Sequence, residues 1–248
     1  MSVLSLRDVT VMRGACPVVD SVSLSIAAGE CVGLIGPNGA GKTSLMRAAL
    51  GILPHQGASS LAALPPKARA RACAWLPQAR EIAWPVDVET IVRLGRLPHA
   101  DRGTVTDEAV AEALLQMGLK DFAKRTATAL SGGEQARVLI ARTLAQDAPL
   151  LMADEPIAGL DPASQIATMR LFARLATEGK AVWTAIHDLS LAVRYCTRLV
   201  VLHRGALVAD GPPRDVLTPA LLAEVFSIEA HFEHTARGPV FQVLDVLE

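Results

Sequence analysis

A glycine-rich octapeptide carries the clearest chemistry in this sequence. It runs from Gly36 to Thr43 and reads Gly-Pro-Asn-Gly-Ala-Gly-Lys-Thr, which fits a loop whose backbone N–H groups surround phosphate oxygens at the start of a helix. In such a loop Lys42 binds the β- and γ-phosphates and Thr43 holds Mg²⁺. An ordinary glycine turn is the alternative, but this pattern rarely arises by chance between a buried strand and a helix. The predicted nucleotide contacts are Gly36, Pro37, Asn38, Gly39, Ala40, Gly41, Lys42, Thr43 and Ser44.

Two carboxylates end a second apolar run, Leu150 to Ala153. They stand at the carboxyl end of a predicted strand, which is the edge where α/β sheets bind ligands. We expect Asp154 to hold Mg²⁺, through water, and Glu155 to polarise the water that attacks the γ-phosphate. Acidic residues at a strand end are also common as solvated caps. The phosphate loop upstream favours the catalytic interpretation.

Two further polar residues follow apolar runs. His187 comes directly after Ala181 to Ile186, where its imidazole can reach a γ-phosphate and sense its presence. Gln78 follows Cys73 to Pro77, and its amide can contact Mg²⁺ or the water around it. Each residue, taken alone, would also suit an ordinary polar loop.

A second phosphate-binding pattern lies far from the first. Leu-Ser-Gly-Gly-Glu, from Leu130 to Glu134, places a hydroxyl and two unhindered N–H groups at the start of a helix. One nucleotide does not need two such cradles from one chain. The candidate nucleotide contacts here are Ser131, Gly132, Gly133 and Glu134.

The elements that position these residues follow from the hydrophobic pattern. Apolar and polar residues alternate in residues 4–26, as in half-buried antiparallel strands. The apolar run from Cys31 to Ile35 predicts a strand buried on both faces. Residues 80–147 have a mostly helical pattern, clearest over 106–118 with Thr106 as N-cap and Gly118 as terminator. Apolar runs separated by helical stretches return after Pro149, which predicts an α/β fold with a parallel sheet.

The composition excludes several classes of protein. The chain has 248 residues, with 24 basic against 25 acidic, and therefore lacks the positive charge typical of nucleic-acid-binding proteins. No segment approaches the roughly 20 apolar residues of a membrane span, and residues 1–10 do not resemble an export signal. The cysteines form no CxxC pair and are expected in the core of a protein in a reducing compartment. They are Cys16, Cys31, Cys73 and Cys196.

Together these motifs resemble the ABC ATPase family in order and approximate spacing, from about Leu4 to Phe226. The resemblance implies a P-loop NTPase ABC ATPase fold, with a mainly parallel core sheet, an N-terminal antiparallel β subdomain and a helical insert. It implies one domain, with a core in 1–78 and 148–226, the insert in 79–147 and a tail in 227–248. It also implies ATP hydrolysis with Mg²⁺. In this family Ser131 to Glu134 of one subunit completes the ATP site of a second copy, and the resemblance also implies that Asp161, in the Gly-Leu-Asp stretch, contributes to nucleotide binding.

The resemblance also indicates a task. Leu94 to His99, Gly211 to Thr218 and Leu221 to Phe226 look like the ATPase subunits of bacterial importers for iron-siderophore, haem or cobalamin. Those subunits lie on the cytoplasmic face of the membrane, bound to permease subunits that receive cargo from a periplasmic or lipoprotein binding protein. A zinc or manganese importer, an exporter and a non-transport ABC ATPase are the alternatives.

Several positions depart from the family or suit two interpretations. Arg13 stands where an aromatic residue usually stacks on adenine, and is either a guanidinium platform or a surface residue. Residues 82–85, with Trp84, are either a docking patch for the permease or packing within the insert. The other departures are Ile157, Ala158, Ala136 and a short segment from Gly57 to Leu64. His231 and His234 are expected to be solvated rather than to bind a metal.

Overall fold

The computed structural model describes residues 2–79, 81–102 and 107–247. The strands are β1 (Ser2–Arg13), β2 (Cys16–Ala27), β3 (Cys31–Ile35), β4 (Gln56–Ser59), β5 (Cys73–Leu76), β6 (Leu150–Asp154), β7 (Ala181–Ala185), β8 (Arg198–His203), β9 (Ala206–Gly211), β10 (Ile228–Thr235) and β11 (Gly238–Val246). The helices are α1 (Lys42–Ala49), α2 (Pro66–Ala72), α3 (Val88–Leu94), α4 (Asp107–Gln116), α5 (Gly132–Ala145), α6 (Pro162–Thr177), α7 (Leu189–Tyr195), α8 (Pro213–Val216) and α9 (Pro219–Leu221). Short 3₁₀ turns span Leu97–Arg102, Lys120–Phe122 and Ala127–Ala129, and a π-helical turn spans Leu222–Phe226.

The central sheet confirms the predicted α/β class. In the described part of the chain its order is β5-β6-β7-β3-β8-β9, and only β9 runs antiparallel to its neighbour. Every residue of β3, β6 and β7 is buried, which explains why these strands are continuous apolar runs. Parallel strands end at one edge of a sheet, and the segments that follow β5, β6, β7 and β3 therefore lie side by side.

Two apolar clusters pack against opposite faces of this sheet. Trp183 of β7 packs with the N-terminal sheet and α1, whereas its neighbour Val182 packs with the helical insert, α6 and α7. Trp183 and Phe172 of α6 are the largest fully buried side chains in the described ranges. Because successive strand residues point to opposite faces, one strand contributes to both clusters.

The N-terminal sheet is antiparallel, as the alternating pattern predicts. Its central strand β1 pairs with β2 on one side and with β4 on the other. Leu4, Leu6, Val9 and Val11 of β1 are all buried. The segment expected to be short, residues 57–64, includes the last three residues of β4, a strand of four residues that pairs Ser59 with Leu6.

The helical insert contains α3, α4 and α5. The helix expected over residues 106–118 is present as α4, and Gly118 follows it with a φ of 63°. The proposed cap, Thr106, lies outside the described residues. Gly95, after α3, has a structural role because a Cβ there would lie 2.1 Å from the Arg142 carbonyl oxygen of α5. A glycine is therefore needed for α3 and α5 to approach this closely.

Two parts of the chain differ from the description expected from the sequence. Residues 227–248 were expected to be a tail, but residues 228–246 form the antiparallel hairpin of β10 and β11. Phe241 is 5% exposed and belongs to the main core cluster. The hairpin obtains this apolar contact from neighbouring elements, which a composition argument does not detect.

Cys16 was expected in the core but is exposed, whereas Cys31, Cys73 and Cys196 are buried.

Candidate functional site

The phosphate loop, residues 36–43, connects β3 to α1 and depends on glycine. Gly41 has a φ of 101°, and a Cβ there would lie 2.3 Å from the Val18 carbonyl oxygen. A Cβ on Gly36 would lie 2.1 Å from the carbonyl oxygen of Leu202. The first full turn of α1 directs unpaired N–H groups back into the loop. The local backbone therefore forms an anion-binding cradle in tight contact with the surrounding chain.

Lys42 is held over this loop by backbone carbonyls. Its ammonium donates to the Gly36 oxygen at 2.7 Å and to the Pro37 oxygen at 3.0 Å. The residue is 6% exposed. Burial lowers the pKa of Lys42, and the nearby carboxylates of Glu155 and Asp154 oppose that shift. The carboxylates thereby keep a positive charge available at the cradle.

Asp154, the last residue of β6, is a buried carboxylate that lacks donors. It is 1% exposed, and neither of its oxygens has a hydrogen-bond partner among the described residues. Burial and the charge of Glu155 raise the pKa of Asp154, while the charges of Arg47 and Lys42 lower that pKa. Buried anions are ordinarily paired or bound to a cation. Oxygen donors of this kind match what Mg²⁺ prefers, and the site fits that ion.

Glu155 and His187 meet across the carboxyl ends of β6 and β7. The Nε2 atom of His187 lies 2.6 Å from Oε1 of Glu155. The Glu155 side chain is 18% exposed and the His187 side chain 42% exposed. Glu155 has a φ of 52°, a conformation that is strained for a residue other than glycine and that often occurs at functional sites. Its N–H donates to the Ala185 oxygen at 3.1 Å, which holds the strained residue against the end of β7.

These groups surround a single cavity of about 300 Å³. Gln78, which is exposed and follows β5, lines the same cavity as the phosphate loop. Arg13 also lines it, although its strand belongs to the other sheet. The lining residues are Arg13, Val18, Asn38, Gly39, Ala40, Gly41, Lys42, Thr43, Ser44, Gln78, Glu155 and His187. The structure therefore brings together nearly all residues predicted around the triphosphate, with Asp154 buried beneath them.

The signature turn, Leu130 to Glu134, lies apart from this cavity. Ser131 caps α5, and Oε2 of Glu134 accepts from the Ser131 N–H at 2.8 Å and from the Ser131 hydroxyl at 2.7 Å. These donors lower the pKa of Glu134. None of the residues Ser131, Gly132, Gly133 and Glu134 lines the described cavity. The second cradle is therefore preformed but is not part of the same site.

Asp161 is likewise absent from the cavity lining. It is exposed and caps α6, where its carboxylate accepts from the Ser164 N–H at 3.1 Å. The Ser164 hydroxyl and this backbone bond lower the pKa of Asp161. The departures nearby have a packing explanation, because Ile157 is 6% exposed and Ala136 is 5% exposed. An apolar residue in place of a polar one at these positions suits the core.

Sequence reasoning missed two contributors to this region. Val18 of β2 forms a wall of the cavity beside Arg13. The terminal hairpin also borders a second cavity, of about 460 Å³, that the phosphate loop and His187 share. Ser190 of α7 donates to the Phe241 oxygen of β11 at 3.0 Å. The alternation of Ile228, Ala230 and Phe232 in β10 is the one sequence signal for the hairpin.

The chain matches known proteins over most of its length. A family model described as ABC transporter matches residues 19–158. The chain belongs to the ABC transporter family. The chain is similar to the cobalamin import ATP-binding protein BtuD of Halobacterium salinarum, with 45% identity over 90% of this chain but only 58% of that protein. It is also similar to the hemin import ATP-binding protein HmuV of Streptomyces coelicolor, with 42% identity over 93% of this chain and 85% of that protein.

A solved structure shares the fold of this ABC transporter family member. It is an ATP-binding cassette described as the dimeric post-hydrolysis state bound to ADP and Pi. Its TM-score is 0.75 at 27% identity, over 85% of this chain and 99% of that one. Within residues 2–79, 81–102 and 107–247, no helix has the length and apolar character to cross a membrane.

Proposed function

We propose that this chain is the ATP-hydrolysing subunit of an ABC importer for an iron chelate, haem or cobalamin. One observation carries the proposal: the phosphate loop, Asp154, Glu155, His187 and Gln78 converge at one sheet edge, while a second phosphate cradle faces elsewhere. Convergence of this kind suits phosphoryl transfer to water, in which positioning and charge stabilisation provide most of the catalysis. A separate cradle suits a site completed by another molecule.

Each side chain has a task in hydrolysis. The loop N–H groups and Lys42 bind the triphosphate, and Lys42 neutralises charge that develops on the leaving phosphate. Glu155 accepts hydrogen bonds from the attacking water and orients it toward the γ-phosphate. His187, which contacts Glu155 at 2.6 Å, holds that carboxylate and reaches the γ-phosphate. Thr43 and Asp154 would hold Mg²⁺, Gln78 would contact the ion or its water, and the ion would neutralise phosphate charge.

A second copy of the chain completes the site. The signature turn has its N–H groups at the start of a 14-residue helix and lies outside the cavity. Two copies related by twofold symmetry can each place this turn, with Asp161 nearby, over the other's nucleotide. The solved cassette with 27% identity is described as dimeric. ATP then closes the dimer and hydrolysis reopens it.

The helical insert contains the surface for the membrane partner. Trp84 is 76% exposed, so packing within the insert is not its role. Leu94 and Leu97 of the same insert are 47% and 65% exposed. Such apolar exposure marks interaction surfaces. In this proposal integral permease subunits dock there, on the cytoplasmic face of the membrane, and receive cargo from an extracytoplasmic binding protein.

The cargo class rests on the relatives. The names of the two relatives state import of cobalamin and of hemin. Both cargoes are metal chelates of a large organic ring, and the Leu94 to His99 stretch resembles importers of that kind. The expected cargo of this system is therefore a metal chelate, which the permease and binding protein select.

Arg13 provides the platform for the nucleobase. It borders the nucleotide cavity and a second cavity of about 300 Å³, and both cavities also include Val18 and Ser44. The base of a bound nucleotide extends from the loop into this shared space. The Arg13 guanidinium can stack on it, with Val18 providing apolar contact.

The experiment that tests the proposal follows the size of Glu155→Gln by light scattering, with and without Mg-ATP. We expect a monomer that becomes a dimer with ATP, because hydrolysis no longer reopens it. Adding Ser131→Arg should abolish the dimer and leave ATP binding intact. A Glu155→Gln chain that binds ATP and stays monomeric, together with a wild-type chain that does not hydrolyse ATP, would contradict the proposal.

A further inference from the structure

The helical insert returns to the core at Gln146, immediately after α5. The Gln146 side-chain amide donates to two carbonyl oxygens of the core, Ala70 at 2.5 Å and Cys73 at 2.9 Å. Ala70 is in α2, and Cys73 begins β5, the strand that leads to Gln78. One amide group therefore joins the end of α5 to the start of that strand.

Residues of the helical insert also contact this C-terminal end of α5. Arg96 donates to the Ala145 oxygen at 2.9 Å, and the His99 ring lies 3.0 Å from the Gln146 oxygen. These contacts occupy carbonyls that the end of a helix leaves unpaired. Arg71 of α2 completes the link by donating to the Pro98 oxygen at 2.8 Å. The Leu94 to His99 stretch thus supports the C-terminal end of α5 rather than the nucleotide site.

We propose that Gln146 is a positioning residue that sets the orientation of the helical insert relative to the core. Its contacts lie at one end of α5, and the signature turn lies at the other. A helix of 14 residues is about 21 Å long, and a tilt of about 10° at its C-terminus moves its N-terminus by about 4 Å. That displacement exceeds the tolerance of a hydrogen bond.

The consequence for catalysis rests on the proposed function. A signature turn that must meet the phosphate of a second copy needs a defined orientation. Gln146 does not line the nucleotide cavity. Breaking its contacts should therefore lower turnover and leave nucleotide affinity unchanged.

Two matched substitutions test the orientation directly. Gln146→Glu keeps the side-chain size but presents acceptor oxygens to two carbonyls, whereas Gln116→Glu makes the same change in α4, where the amide donates to Glu112 at 2.8 Å. Spin labels are placed on the native Cys16, which is exposed in the N-terminal sheet, and on Thr128→Cys, which is exposed near the signature turn. Pulsed electron paramagnetic resonance then measures the distance between them.

We expect Gln146→Glu to broaden or shift that distance distribution by several ångströms, and Gln116→Glu to leave it unchanged. This readout needs no dimer, so it remains decisive if the proposed function fails. Unchanged distributions in both variants would overturn the proposal.

Steady-state hydrolysis, measured well below the melting temperature of each variant, tests the consequence. Gln146→Glu should lower kcat about 10-fold while KM for ATP stays within about 2-fold, since loss of buried hydrogen bonds has effects of that size. Gln146→Ala should lower kcat by a smaller factor, because it leaves carbonyls unpaired without adding repulsion. A Gln146→Glu chain with wild-type kcat would show that the amide only fills space, and would contradict the proposal.

Discussion

The two glycine-rich turns of this protein are built differently. In the phosphate loop a Cβ at Gly36 or Gly41 would collide with a backbone carbonyl at 2.1 or 2.3 Å. In the signature turn nothing lies within 4 Å of a Cβ placed on Gly132. The first turn is enclosed by the fold, and side chains that follow β5, β6 and β7 converge on it. The second turn is open, and its hydroxyl is bonded to its own Glu134.

This difference separates an enclosed cradle from an open one. An enclosed cradle needs glycine because the chain itself occupies the surrounding space. Helix capping by Ser131 does not itself require glycines at the next two positions. The glycines of the open cradle are better explained by a second molecule that approaches them. The contrast supports a site shared between two copies, and the following predictions test it from the largest expected effect to the smallest.

Two glutamates provide the sharpest test of the contrast. Glu155→Gln should lower kcat for ATP hydrolysis by about 10²- to 10⁴-fold, because an amide cannot activate the water. Glu134→Gln should lower it only a few-fold, since an amide oxygen still accepts from Ser131. Steady-state phosphate release measures both. Equal losses would mean that Glu134 has a chemical role.

Ser131→Arg should separate binding from hydrolysis. We expect the Kd for ATP to stay within about 2-fold, because Ser131 lies outside the cavity. The hydrolysis rate should fall about 100-fold or more, because the nucleotide bound to the partner loses hydrogen-bond donors to its phosphate. Mixing this chain with Lys42→Ala should restore part of the activity. Each mixed dimer then contains one site with an intact phosphate loop and an intact signature turn. No recovery on mixing would argue against shared sites.

Alanine at two glycines compares the backbone of the turns. Gly41→Ala should lower the free energy of unfolding by about 2 kcal/mol or more, from the left-handed backbone and the clash with Val18. Gly132→Ala should leave it unchanged or raise it by up to about 1 kcal/mol, because alanine favours a helix and has open space. Urea unfolding at equilibrium measures both. A destabilised Gly132→Ala chain would show that this turn is not open.

Asp154→Asn tests the buried carboxylate. Burial raises the pKa of Asp154 in the folded state. Above the pKa of the unfolded state, the ionised carboxylate therefore lowers the free energy of unfolding. That free energy recovers as the pH falls through the folded-state pKa. Without divalent cations the asparagine chain should be more stable than the wild-type chain near neutral pH. It should also lose the additional stabilisation by Mg-ATP over ATP alone. Thermal unfolding across pH, with EDTA or Mg²⁺, measures this. If Asp154→Asn is less stable than the wild-type chain in EDTA, the buried carboxylate does not destabilise the fold.

Arg13→Ala should have the smallest effect. Loss of a stacking guanidinium is expected to weaken ATP binding about 2- to 5-fold. Arg7→Ala, an exposed arginine on the same strand, is the matched control and should change nothing. Inorganic tripolyphosphate should bind both variants equally, because it has no base. If ATP affinity is the same in both variants, Arg13 is a surface residue.

Sequence reasoning was accurate where the signal lies within a short stretch of chain, and less accurate where it depends on contacts between distant residues. The strand-loop-helix around Lys42 and the carboxylates after β6 could be located because apolar runs and glycine spacing are local signals. The role of Leu94 to His99 could not, since Arg96 and His99 meet residues about 47 to 49 positions away. The hairpin was missed because its buried face depends on α7. The exposure of Trp84 and Cys16 depends on which neighbours pack there.

The sequence by itself determined the family, the α/β class and the residues of the phosphate loop, because a triphosphate requires fixed donors at fixed spacing in a short stretch. Only the tertiary structure decided which of these residues share a cavity. It placed Gln78, Glu155 and His187 beside Lys42, left Asp154 buried without donors, and kept Ser131 apart. The physical reason is that side-chain distance across a sheet depends on strand order, and strand order is not encoded in any one segment.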